Sequence, residues 1–132
     1  MKPKLAAHLA AVMVMLLLDA MWLGWVARPM YLRGLGHLMA QTPLWWAAAL
    51  FYVVYGLGLL RFAIAGSASL REAAWSGAAF GCVAYATYDL SNLATLKDWP
   101  ASLAFIDIAW GSVASAAAAA AGRLAWVRFD AR

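Results

Sequence analysis

Tyr85-Ala86-Thr87-Tyr88-Asp89-Leu90-Ser91-Asn92-Leu93-Ala94-Thr95-Leu96-Lys97-Asp98-Trp99-Pro100 sets a carboxylate, an amide, two phenols and several hydroxyls into a segment otherwise apolar enough to cross a membrane. A carboxylate at the centre of a lipid-embedded helix costs roughly 2.5–3.5 kcal/mol on insertion scales, so it is kept there with partners or for a task. Two partners are available elsewhere in the chain, Asp19 and Asp107. The reading that follows is that the fold gathers these three acids in one place.

The composition supports a membrane setting for that stretch. Apolar residues make up 67% of the 132-residue chain, more than a soluble domain of this length can hide, because such a domain leaves about a third of its chain's surface in water. An all-α integral membrane protein in a single domain is expected. The net charge of +4 comes from basic residues scattered at segment ends, with no Lys/Arg-rich run, so nucleic acid is not an expected partner. The single cysteine, Cys82, lies in an apolar segment and is read as a small packing residue.

Four spans follow from the apolar runs. The first covers about 5–27 and is interrupted only by His8 and Asp19. Lys2 and Lys4 ahead of it look like the start of a signal peptide, but the run is about twice a signal core in length, carries an acid and ends in Trp22 and Trp25. It is read as an uncleaved helix. Residues 28–41 are too short and too polar to span and are expected along the interface, as a broken amphipathic helix covering the bundle. Thr42-Pro43 reads as a helix start, and the second span runs over about 44–64 with Trp45 and Trp46 at one interface. Tyr52 and Tyr55 within it are read as packing residues. Ser69-Leu70-Arg71-Glu72 fits a capping box ahead of the third span, about 73–96. That span contains Gly77-Ala78-Ala79-Phe80-Gly81, a small-xxx-small surface for close helix approach. The fourth span covers about 101–124, and its alanine tract suits a tightly packed centre better than a lipid-facing wall.

Basic residues orient these spans. Lys2, Lys4, Arg61, Arg71, Arg123, Arg128 and Arg132 fall on one side, Arg28, Arg33 and Lys97 on the other. The positive-inside rule then places both termini in the cytoplasm. Orientation converts position into height: Asp19 lies nine residues before Arg28, Asp89 eight before Lys97, and Asp107 seven after Pro100. At 1.5 Å per residue all three sit roughly 10–14 Å below the outer boundary. Helical spacing adds Tyr85 and Asn92 to the Asp89 face, Trp22 one turn from Asp19, and Trp110 one turn from Asp107.

Three like charges in a low dielectric cannot all stay ionised without protons or a cation. The expected site is therefore an outward-facing polar pocket made by Asp19, Asp89, Asn92 and Asp107, with Tyr85, Trp22 and Trp110 as walls. It would bind or transport a small cationic or polar solute, or protons. A chain this small would need to dimerise to form a transport path. Small multidrug resistance transporters share its length and helix number, but their single first-helix glutamate and their motifs are absent here. A second reading is a membrane enzyme or accessory subunit acting on a lipid or isoprenoid, with the acids as general acid and base or holding Mg²⁺ or Ca²⁺. Nothing adds a nucleophile–base pair, and His8 and His37 lie too far apart for a histidine metal box. A third reading is a structural partner in which the acids only hold helices together.

The run Tyr85-x-x-Tyr88-Asp89-x-Ser91-Asn92-x-Ala94-Thr95-Leu96-Lys97-x-Trp99-Pro100 resembles a bacterial family of small predicted membrane proteins, catalogued as domain of unknown function 2177. Phe105-Ile106-Asp107-Ile108-Ala109-Trp110-Gly111 carries the likeness further, and Leu18-Asp19-Ala20-Met21-Trp22-Leu23 extends it more weakly. The resemblance implies a four-helix protein of the bacterial inner membrane. It brings no activity, substrate or cofactor to transfer onto these residues.

Overall fold

A computed structural model describes residues 2–131. Arg132, counted above among the basic residues of the tail, lies outside them. The described chain is all α, with five α-helices. Helix α1 is Lys2–Met21 and continues through a π-helical turn, Trp22–Val26. Helix α2 is Arg28–Leu35, closed by a 3₁₀ turn at Gly36–Leu38. Helix α3 is Trp45–Leu59, extended by a second π-helical turn at Leu60–Ile64. Helices α4 and α5 are Leu70–Thr95 and Ala101–Asp130.

Three of these stretches are long and apolar enough to cross a bilayer: Lys2–Val26, Trp45–Ile64 and Ala101–Asp130. At 1.5 Å per residue, the 20 residues of the shortest match the ~30 Å hydrocarbon core. Their outward faces carry large side chains that no protein covers, among them Leu17, Val54, Phe62 and Val113, as a lipid-facing wall requires. The expected third span, 73–96, forms as α4 and is long enough at 26 residues, but it is not among the stretches of sufficient hydropathy. The polar groups around Asp89 dilute its C-terminal half. Thr87 donates to the Val83 carbonyl, Ser91 to that of Thr87, and Thr95 to that of Ser91. Those hydroxyls face outward yet leave no unmet donor toward lipid.

The helices meet in antiparallel pairs. Helix α4 packs on α5 more extensively than any other pair does, over a seam of small residues. A Cβ on Gly77 would strike the Ser115 carbonyl and Ala119, and one on Gly81 would strike the Gly111 carbonyl and Ser115. The small-xxx-small surface read from the sequence is therefore used, and it brings the two backbones into contact. Helix α5 is central: Ala104, Asp107, Gly111, Ala114, Ser115, Ala118, Ala119 and Gly122 are buried along it. Its opposite flank receives α1, whose Ala7 carbonyl lies against Gly122. Helix α3 joins through the Tyr55–Ser115 hydroxyl hydrogen bond of 2.6 Å.

Local signals set the connections. Ser67 closes the turn before α4 by donating to the Ile64 carbonyl at 2.8 Å. Ser69 Oγ accepts from the Glu72 N–H at 3.1 Å, while the Glu72 carboxylate reaches back to the Ala68 N–H at 2.7 Å, so the capping box forms one residue wide of its usual return contact. Asp98 adopts a left-handed conformation (φ 60°) that folds the chain tightly from α4 into α5. The Thr42-Pro43 helix start does not form as read. Leu44 is extended (φ −79°, ψ 91°), and α3 begins at Trp45 with no side-chain cap.

Replacing Gly81 with valine should lower the stability of the detergent-solubilised protein by about 1–3 kcal/mol, the usual cost of overpacking. An unchanged thermal midpoint would mean that α4 and α5 are not held this close.

Candidate functional site

Each of the three aspartates sits on the inward stripe of its helix. Asp19 continues the buried series Ala7, Ala11 and Met15, Asp89 follows Gly77 and Gly81, and Asp107 precedes Gly111. Their exposures of 6, 1 and 7% exclude a lipid-facing position for any of them. Among the described residues no salt bridge reaches them. Neutral donors from other helices do. Tyr52 of α3 donates to Asp19 Oδ2 at 2.8 Å, and the Trp110 indole of α5 donates to Asp19 Oδ1 at 3.2 Å. The Tyr31 hydroxyl of α2 donates to Asp107 Oδ1.

Asp89 is different. It neighbours Asp107 across the α4–α5 seam, and its Oδ2 is buried without a partner. The indole N–H of Trp99 lies near Asp89 but closes no well-formed hydrogen bond. Asp19 feels the charge of Asp107 without touching it. Among the described residues no three carboxyl, imidazole or thiol groups converge as metal ligands. The acids are thus a pair plus one, gathered in one region.

The two Asp-x-x-Trp units interlock. Because α1 and α5 run in opposite directions, Trp22 and Trp110 meet face to face, with ring centroids 4.4 Å apart and planes 3° from parallel. Trp110 then reaches the acid of the opposite unit. The stack forms one wall of a cavity of about 470 Å³ that Asp19 and Asp107 both line. Tyr31, Phe51, Tyr52, Tyr55, Tyr85 and Tyr88 supply most of the remaining surface. The Tyr31 phenol, on the short helix outside the apolar spans, titrates above its ordinary range because it is buried and because Asp107 accepts its proton. It therefore remains a donor at any working pH.

Of the residues expected at this site, Asp19, Asp107, Tyr85, Trp22 and Trp110 line the cavity. Asp89, a neighbour of Asp107, lies outside the lining, and Asn92 is half-buried on α4 and also outside it. The family model described as a predicted membrane protein, DUF2177, matches residues 4–124, from the first turn of α1 to the last turns of α5. The chain belongs to this family. No curated protein and no solved structure matches it. This DUF2177 protein is a multi-pass protein of the inner membrane, with three buried aspartates among its helices.

Two residues that shape the DUF2177 site escaped the sequence reading. Tyr52 was expected to pack, yet it is a donor to Asp19. Its signal was the second phenol, Tyr55, one turn away on the same face of an apolar helix. Tyr31 was the lone phenol of the interfacial segment, and nothing local pointed it at Asp107.

A hydrogen bond to a charged group is worth about 1.5–3 kcal/mol. Changing Tyr31 to Phe should therefore loosen α2 and speed amide hydrogen exchange over 28–38 by about tenfold to a hundredfold. Exchange at the wild-type rate would show that Tyr31 does not hold that helix down.

Proposed function

We propose that this protein is a single transmembrane domain of four spans whose outward-facing cavity binds, and in a carrier moves, a small organic cation. The observation that carries the reading is the placement of Asp19 and Asp107 in one aromatic-walled cavity with no basic side chain to neutralise them. Asp19 and Asp107 accept from phenol and indole donors at the cavity wall, so the cavity offers carboxyl oxygens to whatever enters.

Size and lining favour an organic cation over a bare metal ion. Mg²⁺ or Ca²⁺ requires six or more oxygen ligands at about 2.0–2.6 Å, and the acids here do not converge in that way. A space of about 470 Å³ faced with aromatic rings instead fits a weakly hydrated ammonium, attracted to ring faces by about 0.5–2 kcal/mol each.

The four-span arrangement is supported by the pairing of α4 with α5. Gly77 lies against Ala119, Gly81 against Gly111 and Asp89 against Asp107, so α4 shares the depth of an apolar helix at every level. The excess of basic residues at the end opposite Lys97 supports a cytoplasmic side there, with both termini on it. A transport path through so small a chain would pair two copies.

Single cysteines introduced at Ala68 and Asp98 in a Cys82→Ala background test the topology. Impermeant maleimide should label position 98 in intact spheroplasts and position 68 only after lysis. Labelling of both from outside would remove α4 from the list of spans. For the cavity, tetramethylammonium should bind the protein saturably in nanodiscs. Asp107→Asn should weaken that binding about tenfold to a hundredfold, the worth of a charged contact. Equal affinity in the two proteins would sink the cation reading.

A further inference from the structure

A second hollow, of about 570 Å³, opens along the lipid-facing side of α3 and α4. Trp46, Leu50, Val54, Gly58, Phe62 and Phe80 line it, with almost nothing polar. Along α3 it extends from Trp46 to Phe62, sixteen residues, or roughly 24 Å of helix. That is longer than the ~15 Å half-thickness of the hydrocarbon core. Leu50, Val54 and Phe62 remain more than half exposed along it. Gly58 keeps the floor open, since a Cβ there would lie 2.6 Å from the Phe80 ring.

The hollow does not stand alone. Phe51 and Tyr55 line both it and the acidic cavity. Tyr55 is anchored by its bond to Ser115 and meets Phe51, Phe80 and Tyr85 edge-on or tilted at centroid distances of 5.2–6.2 Å. Phe51 and Tyr55 are therefore the common wall along which an acid-lined aromatic chamber adjoins an apolar channel that faces the acyl chains. Charge on one side and hydrocarbon on the other, with one shared wall, match the two halves of an amphiphile.

We infer that the ligand is a single-tailed cationic amphiphile, its ammonium head between Asp19 and Asp107 and its hydrocarbon tail in the α3–α4 groove. This rests on the cavity being a cation site. Entry is then sideways from the outer leaflet, past Phe51, and the tail never leaves apolar surroundings. Lipid is as apolar as the groove, so the groove contributes fit and direction and little net hydrophobic gain.

The test compares wild type with Gly58→Leu in identical nanodiscs, so that partitioning of the probe into lipid is common to both. Dodecyltrimethylammonium should bind the variant about tenfold more weakly or worse, because the added side chain overfills the groove. Tetramethylammonium, which has no tail, should bind both proteins alike. A trimethylammonium probe with a diazirine at its tail end, photolysed on the wild type, should label α3 between Trp46 and Phe62 or α4 near Phe80. This second measurement decides the matter even where the variant folds poorly. Equal dodecyl binding by a well-folded variant, or label scattered over α1 and α5, overturns the place of the tail and leaves the cation site intact. Failure of tetramethylammonium to bind the wild type overturns the cation site itself.

Discussion

Small side chains at Gly77, Gly81, Gly111 and Ser115 let the backbones of α4 and α5 touch. In lipid there is little hydrophobic gain from pressing two helices together, so close packing has to supply the attraction. The seam does this, and it also fixes the register. Gly81 sits between Gly111 and Ser115, so two turns further along α4 are matched by two turns back along α5, which brings Asp89 to the stretch of α5 that bears Asp107. The acid pair is thus a consequence of where the glycines are. A shift of one turn in that seam would carry Asp89 about 5.4 Å away from its partner and take the pair apart.

The other flank of α5 works by larger groups. Ala7 and Gly122 let α1 approach at one end, and at the other the stacked indoles of Trp22 and Trp110 hold it off. That stack forms one wall of the cavity, beside Asp19 and Asp107. Tyr52 and Tyr31 reach into it from α3 and α2. Helices α2, α3 and α5 each contribute a donor to an acid on another helix, and α4 contributes Asp89, whose Oδ2 has no partner.

Much of this was legible before any coordinates, for a simple reason. Helical periodicity and residue spacing are local rules, so they were enough to point Asp19, Asp89 and Asp107 inward and to put Trp22, Trp110 and Tyr85 on their faces. The same rules found the Gly77–Gly81 surface, the capping box at Ser69 and the buried alanine tract. They did not find Tyr31 or Tyr52, whose partners lie 76 and 33 residues away, because contact between helices depends on rotation and tilt that no single segment encodes. Asn92 shows the converse. It shares a face with Asp89 by spacing, yet it sits beyond the cavity because the helix carries it past the end of the chamber. The hydropathy of α4 is a third case: Thr87, Ser91 and Thr95 weigh as polar in its average, although each of these hydroxyls is bonded back onto its own helix.

The cost of keeping acids here bears on what they are for. Each carries an insertion penalty of roughly 2.5–3.5 kcal/mol at the helix centre, while interhelical hydrogen bonds measured in a membrane protein average only ~0.6 kcal/mol and reach ~1.7 at most. Asp19 receives two such bonds and Asp107 one. Even at the upper value, Asp107 is left short, and Asp89, with one oxygen buried and bare, is shorter still. A fold that used acids only to tie helices together would do better with asparagine or serine at these three positions, which make the same bonds without the charge. Asp19 and Asp107 instead face a chamber of aromatic rings with no basic side chain in its lining, and under the proposed reading a positively charged occupant or a proton supplies the interaction that offsets their burial.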